Sequence, residues 1–352
     1  MLAIALQAKQ SVLNTQLERI VIIGFGSIGK RHLRLARRLF PRADIRVLRR
    51  NHTGETPEFS NGLFTTIDEV RQFSPQLSVI SNPATHHIAY AQIMAEIGSH
   101  ILVEKPLSDN LIGISKLQET CNDKGLVLLL GYNLRFLPSL IKFRTLILSG
   151  VIGRIFSVRC EVGQFLPSWR PESDYRLGVS AKKHLGGGVL LELSHEIDYL
   201  GWVFGDIRWV SAAINKQSLL EIDVEDTAYL ILGFDRADGA NDLDVELTCS
   251  LNLDFIRHDT TRKCIAIGEH GSLRWDGLTG AVDLFKPGAN EWNEVFKEVP
   301  ERDASYLAEW NHLIEVTSKE VTPLITITDG MKVLRVIEAA QLSSKSGTKI
   351  YL

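Results

Sequence analysis

The sequence predicts two domains in one chain. Three observations support this: the chain has 352 residues, short apolar strands alternate with helices from Glu18 to about Tyr132, and later strands follow one another through turns. Alternation of this kind is typical of α/β proteins with a doubly wound parallel sheet, and consecutive strands indicate an α+β domain with a mostly antiparallel sheet. We therefore expect an N-terminal extension (1–17), an α/β domain (18–132) and an α+β domain (133–352).

The elements of the first domain are predicted from apolar runs separated by turn residues. The first strand runs into a glycine, and the helix after it is stopped by Pro41. The predicted strands are Ile20–Ile23, Ile45–Leu48, Leu77–Ser81, Ile101–Val103 and Leu126–Leu130, and the predicted helices are Ser27–Phe40, His86–Ile97 and Leu111–Cys121.

The pattern changes after Pro138, where strands with one polar face replace the apolar strands. A polar loop rich in Trp, Arg and Tyr covers Phe165–Leu185. The predicted helices are Leu140–Leu148, Val189–Phe204 and Asp329–Leu342, and the predicted strands are Ile155–Glu161, Trp209–Ile214, Thr227–Phe234, Val245–Leu251, Cys264–Ile267 and Gly271–Trp275.

Composition excludes several classes of protein. A formal net charge of -3 gives no basis for a nucleic-acid partner or an anionic membrane partner. The four cysteines form no C-x-x-C pair, so neither a zinc site nor a disulfide framework is predicted. Met1–Gln16 lacks the basic start and cleavage site of a signal peptide, and no apolar run is long enough to span a bilayer. We expect a soluble cytoplasmic protein without a bound metal.

A glycine fingerprint follows the first strand and opens the first helix. Gly24 permits the tight turn, Gly26 allows a pyrophosphate to approach the backbone, and Gly29 allows close packing of helix on strand. The intervening residues are Phe25, Ser27 and Ile28. Because strand and helix are both present, the motif predicts binding of a dinucleotide at the helix N-terminus.

The residues after the second strand indicate which dinucleotide binds. An NAD site usually carries an acidic residue here that accepts from the ribose 2′-OH, but this chain reads Leu48-Arg49-Arg50-Asn51. Two guanidinium groups attract a 2′-phosphate, so NADP(H) is favoured and NAD(H) is the alternative. Alternatively, the arginines are solvated loop residues and Asn51 or a backbone group meets the ribose.

Two further segments follow strands of the first domain. Asn82-Pro83 and His87 are expected to line the cofactor, although His87 could also simply lie in the first turn of the next helix. Glu104-Lys105-Pro106 ends the fourth predicted strand, at the edge where open α/β sheets bind ligands. Lys105 is a candidate for proton transfer to or from a substrate oxygen, and Glu104 for pairing with Lys105 or binding the cofactor ribose.

The second domain contains Gly186-Gly187-Gly188 followed by a predicted helix. On one helix, Glu192 and His195 would lie on the same side, three residues apart. A carboxylate beside an imidazole is a candidate acid/base pair, whereas a surface or capping pair is the alternative.

These motifs together resemble the family of glucose-fructose oxidoreductase, inositol 2-dehydrogenase and the MocA proteins, from about Arg19 to the end of the chain. The resemblance implies an N-terminal Rossmann domain, a C-terminal open-faced sheet used partly for oligomerisation, and NAD(P)-dependent oxidation of a sugar or polyol hydroxyl. It assigns Lys105 and His195 as the proton-handling pair. Members commonly carry an aspartate four residues before this histidine, where this chain has Leu191. The matching segments are Gly24–Gly29, Asn82-Pro83 with His87, Glu104–Pro106, Gly131–Phe136, Gly186–Gly188, His195 with Asp198, Asp329–Met331 and Ile337–Ala340.

The polar loop resembles a subgroup associated with nucleotide-sugar and surface-glycan metabolism. Arginines there could clamp a phosphate or carboxylate, and aromatic rings could stack on a sugar or base. The alternative is an ordinary loop over the sheet. The candidate substrate residues are Tyr132, Arg135, Trp169, Arg170, Tyr175, Arg176 and Asp198.

The sequence thus predicts an oxidoreductase acting on a hydroxyl-bearing carbon of a sugar, nucleotide-sugar or polyol. The resemblance also implies a homo-oligomer, a dimer or tetramer assembled through the second sheet. Two other functions are open: a non-catalytic cofactor-sensing protein, and an NAD-dependent glycoside hydrolase of the same fold.

Overall fold

A computed structural model describes residues 17–49, 55–235 and 246–352. The predicted extension therefore lies outside the described residues, apart from its last position. The chain forms two compact units, and each is described by itself. The first extends to Gly131 and includes Leu307–Met331; the second consists of Tyr132–Tyr306 and Lys332–Leu352.

The first unit is built on a six-stranded sheet in the order β3-β2-β1-β4-β5-β6. All of its strand pairs are parallel. The strands are almost wholly apolar because helices cover both faces of such a sheet. They are β1 (Arg19–Ile23), β2 (Asp44–Leu48), β3 (Gly62–Phe64), β4 (Leu77–Ile80), β5 (His100–Glu104) and β6 (Leu128–Gly131). The predicted doubly wound parallel sheet is confirmed.

Four helices connect these strands: α1 (Ser27–Leu39), α2 (Ile67–Phe73), α3 (His87–Ile97) and α4 (Ile114–Asp123). The sequence reading missed β3 and α2, which are only 3 and 7 residues long. A signal for α2 was present, since Thr66 and Glu69 form a capping box at its start.

The second unit is built on a nine-stranded sheet in the order β14-β13-β12-β11-β7-β10-β9-β8-β15. Only the β7–β10 pair is parallel, so the prediction of a mostly antiparallel sheet is confirmed. The strands are β7 (Ile155–Gly163), β8 (Ile207–Asn215), β9 (Thr227–Phe234), β10 (Leu247–Asp254), β11 (Thr261–Gly268), β12 (Gly271–Asp276), β13 (Ala281–Phe285), β14 (Asn293–Lys297) and β15 (Ile350–Tyr351).

The helix predicted over Val189–Phe204 is wrong in one respect, because the structure contains two helices there. After α5 (Pro138–Leu148), these are α6 (Val189–Glu192) and α7 (His195–Phe204). Leu193 leaves the helical conformation at φ -101° and ψ 25°. The residues from Val189 to Leu191 and Leu193 are all buried.

The two compact units divide the chain after Gly131, next to the predicted boundary at 132, and Leu307–Met331 also belongs to the first unit. This segment contains most of α8 (Ala304–Thr317) and the start of α9 (Ile327–Ser346). Trp310 is fully buried there, 6.2 Å from the ring of Phe40. The return of this segment is a long-range packing event that local sequence patterns do not encode. Among the described residues, no helix combines the length and hydrophobicity needed to cross a bilayer.

Candidate functional site

The carboxyl edge of the first sheet collects the predicted cofactor residues. Ile23 of β1 pairs with Leu48 of β2 and Ile80 of β4, and Ile80 pairs with Val103 of β5. The segments that follow these strands therefore begin at the same edge. In the order β3-β2-β1-β4-β5-β6, the connections change direction between β1 and β4, and ligands of open α/β sheets bind at such a switch point.

The turn between β1 and α1 fits a dinucleotide pyrophosphate. Gly24 has φ 96°, and a Cβ there would lie 2.6 Å from the backbone nitrogen of Asn82. A Cβ at Gly29 would overlap the carbonyl oxygen of Gly24 and lie 2.8 Å from Ser81 Oγ. At Gly26, by contrast, a Cβ would meet nothing within 4 Å, so open space adjoins the backbone.

The N-terminus of α1 is also free to receive an anion. Its N-cap, Gly26, supplies no side-chain hydrogen bond, and its first turn contains no acidic residue. The first N–H groups of a helix lack intrahelical partners and carry partial positive charge. Backbone N–H groups beside an open glycine therefore suit the phosphate groups of the expected cofactor, with Phe25, Ser27 and Ile28 supplying the rest of the turn.

The end of β2 lies beside this turn, since Gly24 donates its backbone N–H to Leu48 O over 3.2 Å. Arg49 comes next and its side chain is exposed. Its backbone N–H donates to Phe64 O, which fixes the start of this segment. The second predicted arginine, Arg50, lies outside the described residues.

His87 holds two loops of this edge together. Its Nδ1 lies 2.8 Å from Pro106 O and its Nε2 lies 2.7 Å from Asn82 O, with the residue 1% exposed. Burial lowers the pKa of His87, and the two carbonyl contacts oppose this. The sequence reading expected a direct cofactor contact for His87; the structure instead places both of its ring nitrogens against backbone oxygens of the protein.

Asn82 and Thr85 each present a buried polar side-chain atom. Asn82 Oδ1 and Thr85 Oγ1 have no hydrogen-bond partner among the described residues. Buried polar atoms of this kind normally find a partner, so both are candidates for contact with a bound molecule. Pro83 lies between them in the turn that follows β4.

Glu104 ends β5 and is almost fully buried. Its Oε1 lies 2.7 Å from Nε2 of His32 on α1, and its Oε2 accepts from the backbone N–H of Lys105 over 3.1 Å. Burial by itself would raise the pKa of Glu104, but the hydrogen bond with His32 and the charge of Lys105 outweigh burial and lower it. Glu104 therefore stays ionised beside Lys105, as the predicted pairing with Lys105 requires.

Lys105 is half-buried at the carboxyl end of β5, and its peptide bond to Pro106 is cis. This position confirms that the lysine follows the strand at the ligand-binding edge of the sheet. Its role in catalysis remains a prediction.

Sequence reasoning missed Glu309, which lies next to Trp310 on α8. Glu309 is 0% exposed, and neither carboxyl oxygen has a hydrogen-bond partner among the described residues. Burial and the charge of Glu104 raise the pKa of Glu309 well above its ordinary range. No local pattern could have indicated this residue, because the contact depends on the return of Leu307–Met331 to the first unit.

The second unit positions His195 at the first turn of α7. The ring of Tyr132 packs edge-on against the imidazole, with 5.5 Å between ring centroids and 78° between planes. The hydroxyl of Tyr132 donates to Ser194 Oγ over 3.4 Å. Tyr132, a predicted substrate residue, is 0% exposed and contacts the start of α7.

Glu192 ends α6, and its Oε2 accepts from Ser180 Oγ over 2.9 Å. The break before α7 means that Glu192 and His195 do not share one continuous helical face. The triple glycine is needed for packing, because a Cβ at Gly188 would overlap the carboxylate of Glu225. Glu225 in turn accepts from Leu190 N over 3.2 Å, and burial raises its pKa.

Arg135 and Asp198 bind one another. Arg135 Nε and Nη2 donate to the two carboxylate oxygens of Asp198 over 3.0 and 2.6 Å, and both side chains are at most 5% exposed. This bidentate pair anchors α7 three residues after His195. The sequence reading placed both residues at the substrate; in the structure they hold the helix that carries His195.

The predicted substrate loop is held by contacts within it and with neighbouring segments. Trp169 Nε1 donates to Gln164 O over 3.1 Å, and Tyr175 OH accepts from Glu221 N over 3.2 Å. Arg176 forms ion pairs with Asp174 and Glu221. Arg170 is exposed.

Comparison with known proteins identifies both units. Residues 18–132 match the domain described as oxidoreductase family, NAD-binding Rossmann fold, and residues 144–352 match the C-terminal alpha/beta domain of the same family. The chain is 23% identical over 299 residues to scyllo-inositol 2-dehydrogenase (NADP(+)) IolW of Bacillus subtilis, covering 79% of each chain. It is 30% identical over 138 residues to levoglucosan dehydrogenase of Pseudarthrobacter phenanthrenivorans, covering 39% of this chain.

The alignment with that levoglucosan dehydrogenase covers 35% of its length. A second alignment, with an uncharacterized oxidoreductase of Synechocystis sp., covers 54% of that protein. The chain thus spans about half or less of the length of these relatives. Among solved structures, the WlbA dehydrogenase from Bordetella pertussis, in complex with NADH and UDP-GlcNAcA, superposes with a TM-score of 0.76. That match is 21% identical and covers 96% of this chain and 99% of the other, which shows the shared fold. The two domain matches together show that this chain belongs to the oxidoreductase family of glucose-fructose oxidoreductase, inositol dehydrogenase and MocA.

Proposed function

We propose that the protein is an NAD(P)-dependent oxidoreductase acting on a hydroxyl-bearing carbon of a sugar, nucleotide-sugar or polyol. The observation that carries this proposal is the β1–α1 turn. In this turn, Gly26 leaves open space beside the backbone, and the N-terminus of α1 has no side-chain cap. Half-buried Lys105 lies at the same edge of the sheet. Relatives named as dehydrogenases of levoglucosan and scyllo-inositol support the substrate class.

Gly24, Gly26 and Gly29 would hold the pyrophosphate, and Asn82 and Pro83 would line the cofactor beside them. A bound nicotinamide supplies the acceptor or donor of hydride. Lys105 then carries the proton of the substrate hydroxyl, with the ionised Glu104 stabilising its ammonium form. On the basis of the family resemblance, His195 and Glu192 are also proposed to take part in proton transfer.

We further propose that NADP(H) is preferred over NAD(H). Exposed Arg49 directly follows β2, whose end is hydrogen-bonded to the glycine turn. A guanidinium binds a phosphate strongly but gains little from a free ribose diol. Arg49→Ala should therefore weaken NADPH binding about tenfold or more, with a much smaller effect on NADH. Equal losses for both cofactors would contradict the preference.

The substrate contacts are proposed on the same basis. Exposed Arg170 is suited to an anionic group on the substrate, and Trp169 presents an aromatic ring fixed by Phe255 at 5.2 Å. The relative that binds UDP-GlcNAcA makes a nucleotide-sugar with a negative charge a sensible first ligand to test. Tyr175 and Arg176 would act by keeping this loop in place.

Homo-oligomerisation through the second sheet is also proposed. Tyr229 and Ile231 alternate with buried residues on β9 and are 49% and 44% exposed. Exposed apolar side chains that share one face of a sheet are typical of an interface. A cytoplasmic location is proposed because all four cysteines are free thiols and buried.

The central experiment measures absorbance of the reduced nicotinamide while the protein is incubated with free aldoses, inositols and nucleotide-sugars. We expect a net redox change with at least one substrate and its severe loss in Lys105→Met, with cofactor affinity largely kept. Sugar release without net redox change would identify a glycoside hydrolase instead. Cofactor binding without any turnover would identify a sensor.

A further inference from the structure

A chain of buried hydrogen bonds leads from α8 to the backbone of Lys105. Trp310 donates its indole N–H to Nδ1 of His32 over 3.0 Å. The other ring nitrogen of His32, Nε2, lies 2.7 Å from Oε1 of Glu104. The remaining oxygen of Glu104 accepts from the backbone N–H of Lys105 over 3.1 Å. Four residues on three elements are thus connected in series.

The chemistry of this chain fixes the tautomer of His32. An indole N–H can only donate, so Nδ1 of His32 must accept and carries no proton. The ring proton therefore sits on Nε2 and points at the carboxylate of Glu104. Trp310 and His32 are both 0% exposed, so water does not compete for these positions.

We propose that His32 and Trp310 are positioning residues for Lys105: the fixed tautomer of His32 orients Glu104, and Glu104 accepts from the backbone of Lys105 and places a negative charge next to it in the chain. This inference rests on the proposed role of Lys105. It gives Glu104 two partners inside the protein, His32 and the backbone of Lys105.

The charges around Glu104 show what His32 contributes. Lys105 follows it on the chain, His87 faces it from α3, and Glu309 faces it from α8. Burial favours the protonated form of Glu104, and the hydrogen bond from His32 is the largest effect that lowers its pKa. Without that hydrogen bond, Glu104 would take up a proton at higher pH, and Lys105 would lose its negative neighbour.

The first test is the tautomer of His32 in the wild-type protein, read from nitrogen NMR of protein labelled with [15N]histidine. Assignment uses the signal that disappears in His32→Gln. We expect a protonated Nε2 and an unprotonated Nδ1. A proton on Nδ1, or an imidazolium at neutral pH, would overturn the proposal, because neither form can accept from Trp310.

The second test measures how fast Lys105 is acetylated by acetic anhydride as pH is varied, using mass spectrometry of the digested protein. This reading needs neither substrate nor cofactor. His32→Leu removes the donor to Glu104, and we expect acetylation of Lys105 to become about tenfold faster at neutral pH. His32→Gln keeps an acceptor and a donor in the same chain and should restore most of the wild-type rate.

Ser99→Ala is the matched control, because it also removes a buried hydrogen bond of the first unit. Ser99 Oγ lies 2.7 Å from Ser78 Oγ, and both residues are 0% exposed. We expect this variant to lose stability without changing Lys105 acetylation. An equal change in Ser99→Ala and His32→Leu would show general loosening and refute the proposal.

Trp310→Phe provides a second variant if His32→Leu does not fold. It keeps His32 and removes only the donor to Nδ1, so we expect a mixture of His32 tautomers and faster acetylation of Lys105. An unchanged tautomer and an unchanged acetylation rate would refute the proposal.

The outcome of these tests can be separated from the outcome for the proposed function. Full turnover by Lys105→Met would refute the role of the lysine, whereas inactive Lys105→Met with unaltered acetylation in the His32 and Trp310 variants would refute only this inference.

Discussion

Alanine substitutions at Gly26 and Gly29 should separate cofactor binding from folding. Both glycines belong to the same turn, but their surroundings differ. A Cβ at Gly26 meets nothing within 4 Å, and its φ of -74° suits alanine. A Cβ at Gly29 overlaps the carbonyl oxygen of Gly24 and lies 2.8 Å from Ser81 Oγ, so backbone must move.

The expected magnitudes follow from these contacts. Gly26→Ala should keep or raise the free energy of unfolding, by up to about 1 kcal/mol, because alanine restricts the unfolded chain. The same methyl occupies the open space where the pyrophosphate is proposed to lie, so dinucleotide affinity should fall about tenfold or more. Gly29→Ala should lower the free energy of unfolding by about 1–3 kcal/mol through overpacking, and weaken binding as a consequence.

The assays are urea unfolding of the free protein and titration with NADPH and NADH followed by nicotinamide fluorescence. Gly201→Ala on α7 is the control, because a Cβ there also meets nothing within 4 Å. It should stabilise the helix by about 0.5–1 kcal/mol and leave cofactor binding unchanged. Unaltered affinity in Gly26→Ala would refute the assignment of this turn to the cofactor, and wild-type stability in Gly29→Ala would refute the packing argument.

Three further predictions test the buried charges. The raised pKa of Glu309 means that the folded protein retains a proton which the unfolded chain releases. The free energy of unfolding should therefore fall as pH rises above about 4.5. Glu309→Gln should flatten this fall in unfolding curves measured between about pH 5 and pH 8. Asp198→Asn should cost about 3–5 kcal/mol in urea unfolding because it removes the charge of one partner from a buried bidentate ion pair; a loss below about 1 kcal/mol would contradict the pairing. His87→Leu should weaken NADPH binding by loosening the loop ends at Asn82 and Pro106, and unchanged affinity would argue against its role between the loops.

Several elements could be predicted because their signals are local. The apolar strand before Gly24 and the helix after it follow from hydrophobic periodicity and a turn that only glycine permits. The same is true of Lys105 at a strand end. These predictions need only neighbouring residues, so the sequence contains all the information that they require.

The break at Leu193–Ser194 was not predictable in this way. The pattern from Val189 to Phe204 favours one helix, whereas the chain leaves the helical conformation at Leu193 and begins a second helix at His195. The same limitation applies to Arg135 and Asp198. Their charges suggest ligand binding, whereas their positions in the fold bring them together over 63 residues of sequence.

The sequence by itself determined the doubly wound sheet, the dinucleotide turn and the candidate proton-transfer residues, because periodicity, glycine conformation and strand ends are properties of short segments. Only the tertiary structure decided which partners those residues have. His32 and Trp310 are separated by 278 residues and meet because the chain returns to its first unit. Burial there removes water, and hydrogen-bond polarity then assigns the proton of His32 and the charge of Glu104.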